Sequence, residues 1–380
     1  MSRVSLLLFG SGLLFNTAFG FAAATAPVPF PVKESTPEWD GAQFVQADRS
    51  GNVFFLRANT LEVYPLTKRG DFAEALRLHP TEDRTGYIHS AVLSADGDQW
   101  LLDADFSIRR FVGGEEKPLP ALKWNPWGVG FLRDAPLVVV IPRPLDSIRH
   151  LPATMEVPWL LQLDHDGWSP VTAVQAMDVA GMLKSGKMND SISERAVFLK
   201  DDKDGKLWVA HQYGYRLQRF GPSGRQLLEI TVEGGTVQRK EESHGIEVTL
   251  HGDRDNPLEA TRDGRADKAT YFPFTGQHTL LGMTQGLDGF LYLLVRTQGE
   301  GVALDRYNTA QVTLERLPLQ LEIGDAVTMA AGRDALYLAA GDGRKGRWRI
   351  AWDVLDLAHW QKVANAKIDD VGIEEKADQR

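Results

Sequence analysis

One short phrase is written six times along this chain: an apolar run, a turn built on Asp or Gly, then a second apolar run. Its first copy passes from Phe44-Val45 through Asp48-Arg49-Ser50-Gly51 to Val53-Phe54-Phe55-Leu56. The second reads Ala91-Val92-Leu93, Asp96-Gly97, Trp100-Leu101-Leu102. Further copies surround Asp134, Asp204-Gly205, Asp288-Gly289 and Asp334. Each copy is a small antiparallel unit that cannot bury its apolar surface alone, so the units must stack, and a radial β architecture follows.

Four strands are expected in each unit. The apolar run before the turn is the first. The run after it, richer in aromatics (Trp100, Trp208, Tyr292, Tyr337), is the second. The third alternates and ends in an aromatic or apolar residue, as in Ile108 to Phe111 or Leu217 to Phe220, and a weaker fourth follows, such as Leu227 to Val232. Period-two alternation between turn residues marks half-buried strands. The turns recur at positions 51, 97, 135, 205, 289 and 335. A four-stranded unit needs about 40–45 residues, so the longer steps carry insertions, placed at 142–158, 172–194 and 233–276. Within the last, Gly245 to Leu250 could be a strand of a seventh unit, but no second turn-and-strand pair is visible beside it. Ala176 to Lys184 has the spacing of a short helix.

The ends read differently. Arg3 followed by the apolar stretch Val4 to Ala24 and the small residues Ala22-Ala23-Ala24 predicts an export signal over 1–24. The alternative is an uncleaved membrane anchor, which Gly10, Gly12, Asn16 and Gly20 weaken. No stable membrane insertion is expected once the signal is removed. Residues 25–37 read as a Pro/Ala-rich linker, 38–365 as the repeat domain and 366–380 as a charged flexible tail. The formal net charge is −9, and loss of Arg3 makes the balance one unit more negative. An acidic surface argues against nucleic acid as a partner. There is no cysteine, so disulfides, a thiolate nucleophile and Cys-ligated metal are excluded. The expected location is periplasmic or extracellular.

The combination of Asp-x-x-Gly or Asp-Gly, an apolar strand, and a strand closing in Arg-Phe before a Gly-containing turn, as in Arg219-Phe220-Gly221, resembles six-bladed β-propellers of the NHL-repeat type. Their broad superfamily also holds gluconolactonase-like lactonases and TolB-like periplasmic proteins. The resemblance covers most of residues 40–355. It implies an all-β six-bladed β-propeller with four-stranded antiparallel blades, and it implies no function.

In such a ring all three insertions fall on one face, because they lead into first strands or join second to third strands. Long insertions gathered on one face build a binding face; the bland alternative is neutral covering of the core. The residues leading into the first strands would ring the channel mouth on that face. They include Asp40, His89, Asn125, Trp127, Arg195, His278 and Asp325. Imidazoles, carboxylates, an amide and an Arg around one cavity could bind a small polar ligand, and His89, His278, Asp40 and Asp325 could hold a divalent metal, calcium or zinc. A carboxylate or His there could serve as general base. Polar rims are also common simply because strand ends need solvation. Resemblance to gluconolactonase-like propellers implies a Glu, Asn and Asp metal set. Asp40, Asn125 and Asp325 have the chemistry, but the surrounding motif is missing. Amidating-lyase propellers hold zinc through His, for which His89 and His278 lack a third partner.

Other signals are weaker. Asp201 to Gly205 lacks the closing Glu of a calcium loop, and the turn Asp residues read as turn formers that bond their own backbone. Trp124 and Trp127 could stack on a sugar. The leading function is a binding module for a protein, peptide or saccharide; the alternative is a metal-dependent hydrolase or lyase, lactonase-like, at the channel mouth.

Overall fold

The computed structural model describes residues 28–29, 43–48, 50–57, 62–67, 76–77, 88–94, 96–103, 107–122, 124–132, 135–141, 155–171, 175–177, 197–201, 205–211, 215–221, 224–232, 248–251, 259–262, 280–297, 301–321, 327–340 and 347–370. They form a six-bladed β-propeller. Blade 1 consists of Gln43–Ala47, Val53–Arg57, Glu62–Pro65 and Leu76–Arg77. Blade 2 follows with Ile88–Leu93, Gln99–Asp103, Ile108–Val112 and Glu115–Lys117. Asn125–Leu132, Ala135–Ile141, Leu160–Asp164 and Gly167–Pro170 make blade 3. Blade 4 holds Val197–Asp201, Leu207–His211, Arg216–Phe220 and Gln226–Val232. Leu280–Gln285, Leu291–Thr297, Gly301–Asn308 and Thr313–Leu319 form blade 5. Blade 6 has Val327–Ala331, Ala335–Ala340 and Arg347–Ala351.

Each second strand is a continuous apolar run because it is sandwiched between two neighbouring blades, so both of its faces are core. Trp208 and Ala210 point into the cluster shared with blade 5, while Leu207 and Val209 point into the one shared with blade 3. Leu291, Leu293 and Val295 face blade 4, whereas Tyr292 and Leu294 face blade 6. Phe55 and Leu56 divide in the same way between blades 6 and 2. Six such clusters, one between each pair of neighbours, fill the ring. Each large side chain so buried contributes about 1.5–3 kcal/mol. A buried polar rivet crosses the wall between blades 4 and 5. There the Tyr215 hydroxyl donates to Asp305 at 2.8 Å, and Arg316 donates to the same carboxylate at 2.7 and 2.8 Å. Burial pushes the Asp305 carboxyl up, against the pull of Arg316 and Tyr215.

The ring is closed by partners far apart in sequence. The Val45 amide donates to Thr328 Oγ1 at 2.8 Å, joining blade 1 to blade 6. The Gln46 side chain bonds both backbone groups of Leu93 at 2.6 Å, joining blade 1 to blade 2. Two stretches differ from the sequence expectation. Val28–Pro29, expected within a linker, is the outermost strand of blade 6, paired with Trp348 and Arg349. Ala366–Asp370, expected within a flexible tail, is a fifth strand on blade 4, with Ile368 opposite Ile230. Gln361–Lys362 likewise adds an edge strand to blade 5. Edge positions tolerate proline and charge, which is why both segments looked unstructured.

Candidate functional site

Antiparallel order divides the connections between two faces. Links from one blade to the next, and from second to third strand, lie on one face; links from first to second and from third to fourth lie on the other. All three insertions belong to the first face. The insertion inside blade 3 and the one leading out of it are joined: Met155–Val157 pairs antiparallel with Gln175–Met177, with Glu156 opposite Ala176. Ala176 and Met177, expected to begin a helix running to Lys184, are therefore strand, because a partner some twenty residues earlier in the chain supplies the ladder; 178–184 lie outside the described residues. The third insertion carries its own hairpin, Val248–His251 with Glu259–Arg262, rather than a seventh blade.

The first strands reach this face at their leading ends, and three of them are bulged there. Register shifts between Ile88 and Ser90, between Pro126 and Gly128, and between Leu280 and Gly282. The extra residues are thus His89, Trp127 and Leu281, at matching places in blades 2, 3 and 5. A bulge interrupts the ladder and re-aims the residue it carries. Leu281 is used for packing, in the cluster between blades 5 and 6. Trp127 is half-buried against the cluster between blades 3 and 4, and Trp124 packs on that between blades 2 and 3. The backbones of His89 and of Asn125 thus lie at neighbouring leading ends. Asp40, Arg195, His278 and Asp325 lie outside the described residues.

A second group, not singled out from sequence, occupies the same face between blades 3 and 4. Trp159, where the blade 3 insertion ends, stacks on His211 with ring centroids 5.6 Å apart and planes 26° apart. Both are buried. His211 Nε2 bonds Gln218 Oε1 at 2.9 Å. Gln218 then donates to Gln226 at 2.9 Å and to Glu229 at 3.0 Å, while Gln226 and Arg216 also donate to Glu229, at 2.9 and 3.1 Å. Burial raises the Glu229 pKa, but these hydrogen bonds outweigh it and hold the carboxyl below its ordinary range. The network crosses three strands of blade 4 on the side facing blade 3, and it locks the His211 ring in place. The alternation of Leu207, Val209 and His211 was the available signal.

Between blades 6 and 1 the same face carries Arg57, Glu62, Tyr64 and Arg347. The Tyr64 hydroxyl donates to Glu62 at 2.8 Å, and Arg57 lies 3.5 Å from it. Burial and then Glu62 push Tyr64 up to about 12, while burial draws Arg347 down to about 10. At this end of the blades the described imidazole, indole, phenol and carboxylate groups are thus buried between blades, with partly buried guanidinium groups beside them, and are held by neighbouring side chains. Among the described residues no group of three or more His, Asp or Glu side chains is placed to hold a metal ion, and no helix among them is long and apolar enough to cross a membrane.

The turn residues behave as turn formers. Asp48 Oδ1 accepts the amides of Ser50 and Asn52, both at 2.8 Å, and Asp288 Oδ1 accepts that of Phe290 at 3.0 Å. Gly51, Gly97, Gly205 and Gly289 take positive φ in these turns, a conformation glycine adopts without strain.

No protein-family model and no curated protein matches this sequence. Among solved structures the chain is similar to virginiamycin B lyase from Staphylococcus aureus, at 13% identity over 82% of this chain and 96% of that one, with a TM-score of 0.41. It is also similar to a protein of unknown function from Bacteroides caccae, at 12% identity over 88% and 96%, TM-score 0.42. YCF48 from Cyanidioschyzon merolae aligns at 14% identity over 87% and 100%, TM-score 0.41. Likeness at this level concerns fold outline and says nothing of ligand or reaction.

Proposed function

We propose that this chain is an exported propeller that binds a protein, peptide or saccharide on its insertion-bearing face, with no chemistry of its own. The observation that carries the reading is the ribbon formed by Met155–Val157 and Gln175–Met177. Two insertions separated by the outer hairpin of blade 3 meet and share a ladder, which pre-organises the surface they build and lowers the entropic cost of binding. Between blades 3 and 4 the buried Trp159 and His211 stack and fix the blade ends from which the first two insertions leave. Export rests on the leader-like residues 1–24.

The test compares the mature protein, residues 25–380, with a variant in which 142–158 and 172–194 are replaced by short Gly/Ser turns. Both are read on defined peptide and glycan arrays. The expected result is an unchanged unfolding midpoint and loss of the array signal. Retained signal would sink the reading. So would stoichiometric metal in the chelator-free protein that is lost in His89→Ala/His278→Ala, together with lactone or ester hydrolysis, which would put chemistry at the channel mouth instead. Mass spectrometry of the exported chain checks the leader, with Thr25 as the expected first residue.

A further inference from the structure

The large apolar side chains most exposed among the described residues are Leu287, Val312, Val354 and Leu357. All four belong to the face opposite the insertions. Leu287 sits in the first-to-second turn of blade 5, and Val312 in its third-to-fourth turn. Val354 and Leu357 lie on the short helix Trp352–Leu357, which follows the third strand of blade 6. Leu357 is 89% exposed. Val312 holds φ at 55°, a strained conformation for a β-branched residue that invites a functional explanation.

The helix is a fixed platform. Its Leu355 is buried in the cluster between blades 5 and 6. Trp352 Nε1 donates to the Gly332 carbonyl at 2.9 Å, and Trp360 Nε1 to that of Leu355 at 2.9 Å. Tyr292 packs on Trp352 at 5.4 Å between centroids. Val354 and Leu357, three residues apart, share the outward side of the helix. Exposed carboxylates surround them: Asp353 and Asp356 on the helix, and Asp288 in the neighbouring turn. Asp288 accepts from the Tyr292 hydroxyl at 2.7 Å, and burial first, then Asp288, with Asp356 a lesser cause, push that phenol up. Among the nearby cations, Arg306 pairs with Glu315 at 2.7 Å and lies over the Trp360 ring at 4.1 Å. Arg333 donates to the neutral Ser50 carbonyl at 2.6 Å and keeps its charge, and Lys362 is exposed on the strand after the helix, so the three carboxylates outnumber these two cations. His359 is exposed at the end of the helix.

We propose that this helix, with the adjoining turns of blade 5, is a docking surface for a partner protein's amphipathic segment, one that presents aliphatic side chains flanked by Lys or Arg. Charge decides the occupant. A second copy of this chain, docked symmetrically, would bring the same three carboxylates against themselves, which is repulsive. A cationic apolar segment meets both the leucines and the acids.

The probe is a synthetic Leu/Lys amphipathic peptide of about 14 residues, long enough to form a helix, with a Leu/Glu peptide as control. Fluorescence anisotropy on the full chain is expected to show micromolar binding of the first and none of the second. Val354→Ser/Leu357→Ser should weaken binding about tenfold, in the range of a lost anchor residue. Asp353→Asn/Asp356→Asn, or about 0.3 M salt, should weaken it several-fold. Leu357→Lys is a second variant whose exposed position spares the fold, and it should also abolish binding. The proposal is overturned if the Leu/Lys peptide does not bind, or binds the double Ser variant equally well. It is also overturned if sedimentation shows a dimer that the double Ser variant dissolves, since the occupant is then a second copy.

Discussion

On one face of the ring the chain runs through long connections, 142–158, 172–194 and 233–276. On the other it returns within a few residues, as from Asp48 to Asn52 or from Gly286 to Phe290. The short turns satisfy their own polar groups and one another's: Asp48 caps two amides, and Arg333 of blade 6 donates from its backbone amide to the Gly51 carbonyl and from its guanidinium to the Ser50 carbonyl of the blade 1 turn. They therefore fix geometry. Two of the long connections are joined at a distance, through the ribbon at residues 155–157 and 175–177. A face whose connections are free of the ring's repeat can change without disturbing the blades, which is where a ligand-specific surface is cheapest to build.

This contrast is breakable. The largest effect is expected for Gly332→Val on the turn face. A Cβ there would stand 2.8 Å from both Tyr337 Cε2 and Val53 Cγ2, and 3.2 Å from a backbone oxygen. Overpacking of this kind costs about 3 kcal/mol. Gly301→Val on the insertion face meets nothing within 4 Å and bears only the strain of φ 83°, about 1–2 kcal/mol. Equal shifts in the denaturant midpoint would break the comparison. Asp48→Ala comes next, at about 1 kcal/mol for a lost cap on two amides; no change would show that the turn holds without it.

The smallest effect is one in which the faces should agree. Tyr337, bonded to Asp334 at 3.0 Å, and Tyr64, bonded to Glu62, are both pushed up to about 12, chiefly by burial. A phenol with a raised folded-state pKa contributes stability that is intact below its unfolded value near 10 and is lost as pH rises through about 12. Tyr64→Phe and Tyr337→Phe should each flatten the alkaline loss of stability slightly and alike. A steeper loss in either would contradict the sign.

The blades were legible because second strands buried on both sides must be apolar throughout: Leu291 to Val295 or Leu137 to Val140 can be little else. What escaped were pairings with no local signature. Ala366–Asp370 needs only Ala366 and Ile368 turned inward, and its Lys367 and Asp369 read as tail. Residues 175–177 carry no sign that 155–157 awaits them. At the site, the sequence placed His89 and Trp127 near the mouth, and both fall at bulges. It missed Trp159 and His211, because their stacking joins two blades. A one-residue bulge also decides which side chain is re-aimed, and hydrophobic alternation does not register it.

The closure between Val45 and Thr328 has a further consequence. It spans 283 positions in sequence, so the circle is completed by packing rather than by the continuity of the backbone. A protease that cut one peptide bond within 172–194 would sever the polypeptide without opening the circle, since all six interblade clusters would still be in place. The two fragments should travel together in native chromatography and part only in denaturant. Persistence after a nick is a useful property for a cysteine-free protein, which has no covalent cross-link to hold its pieces.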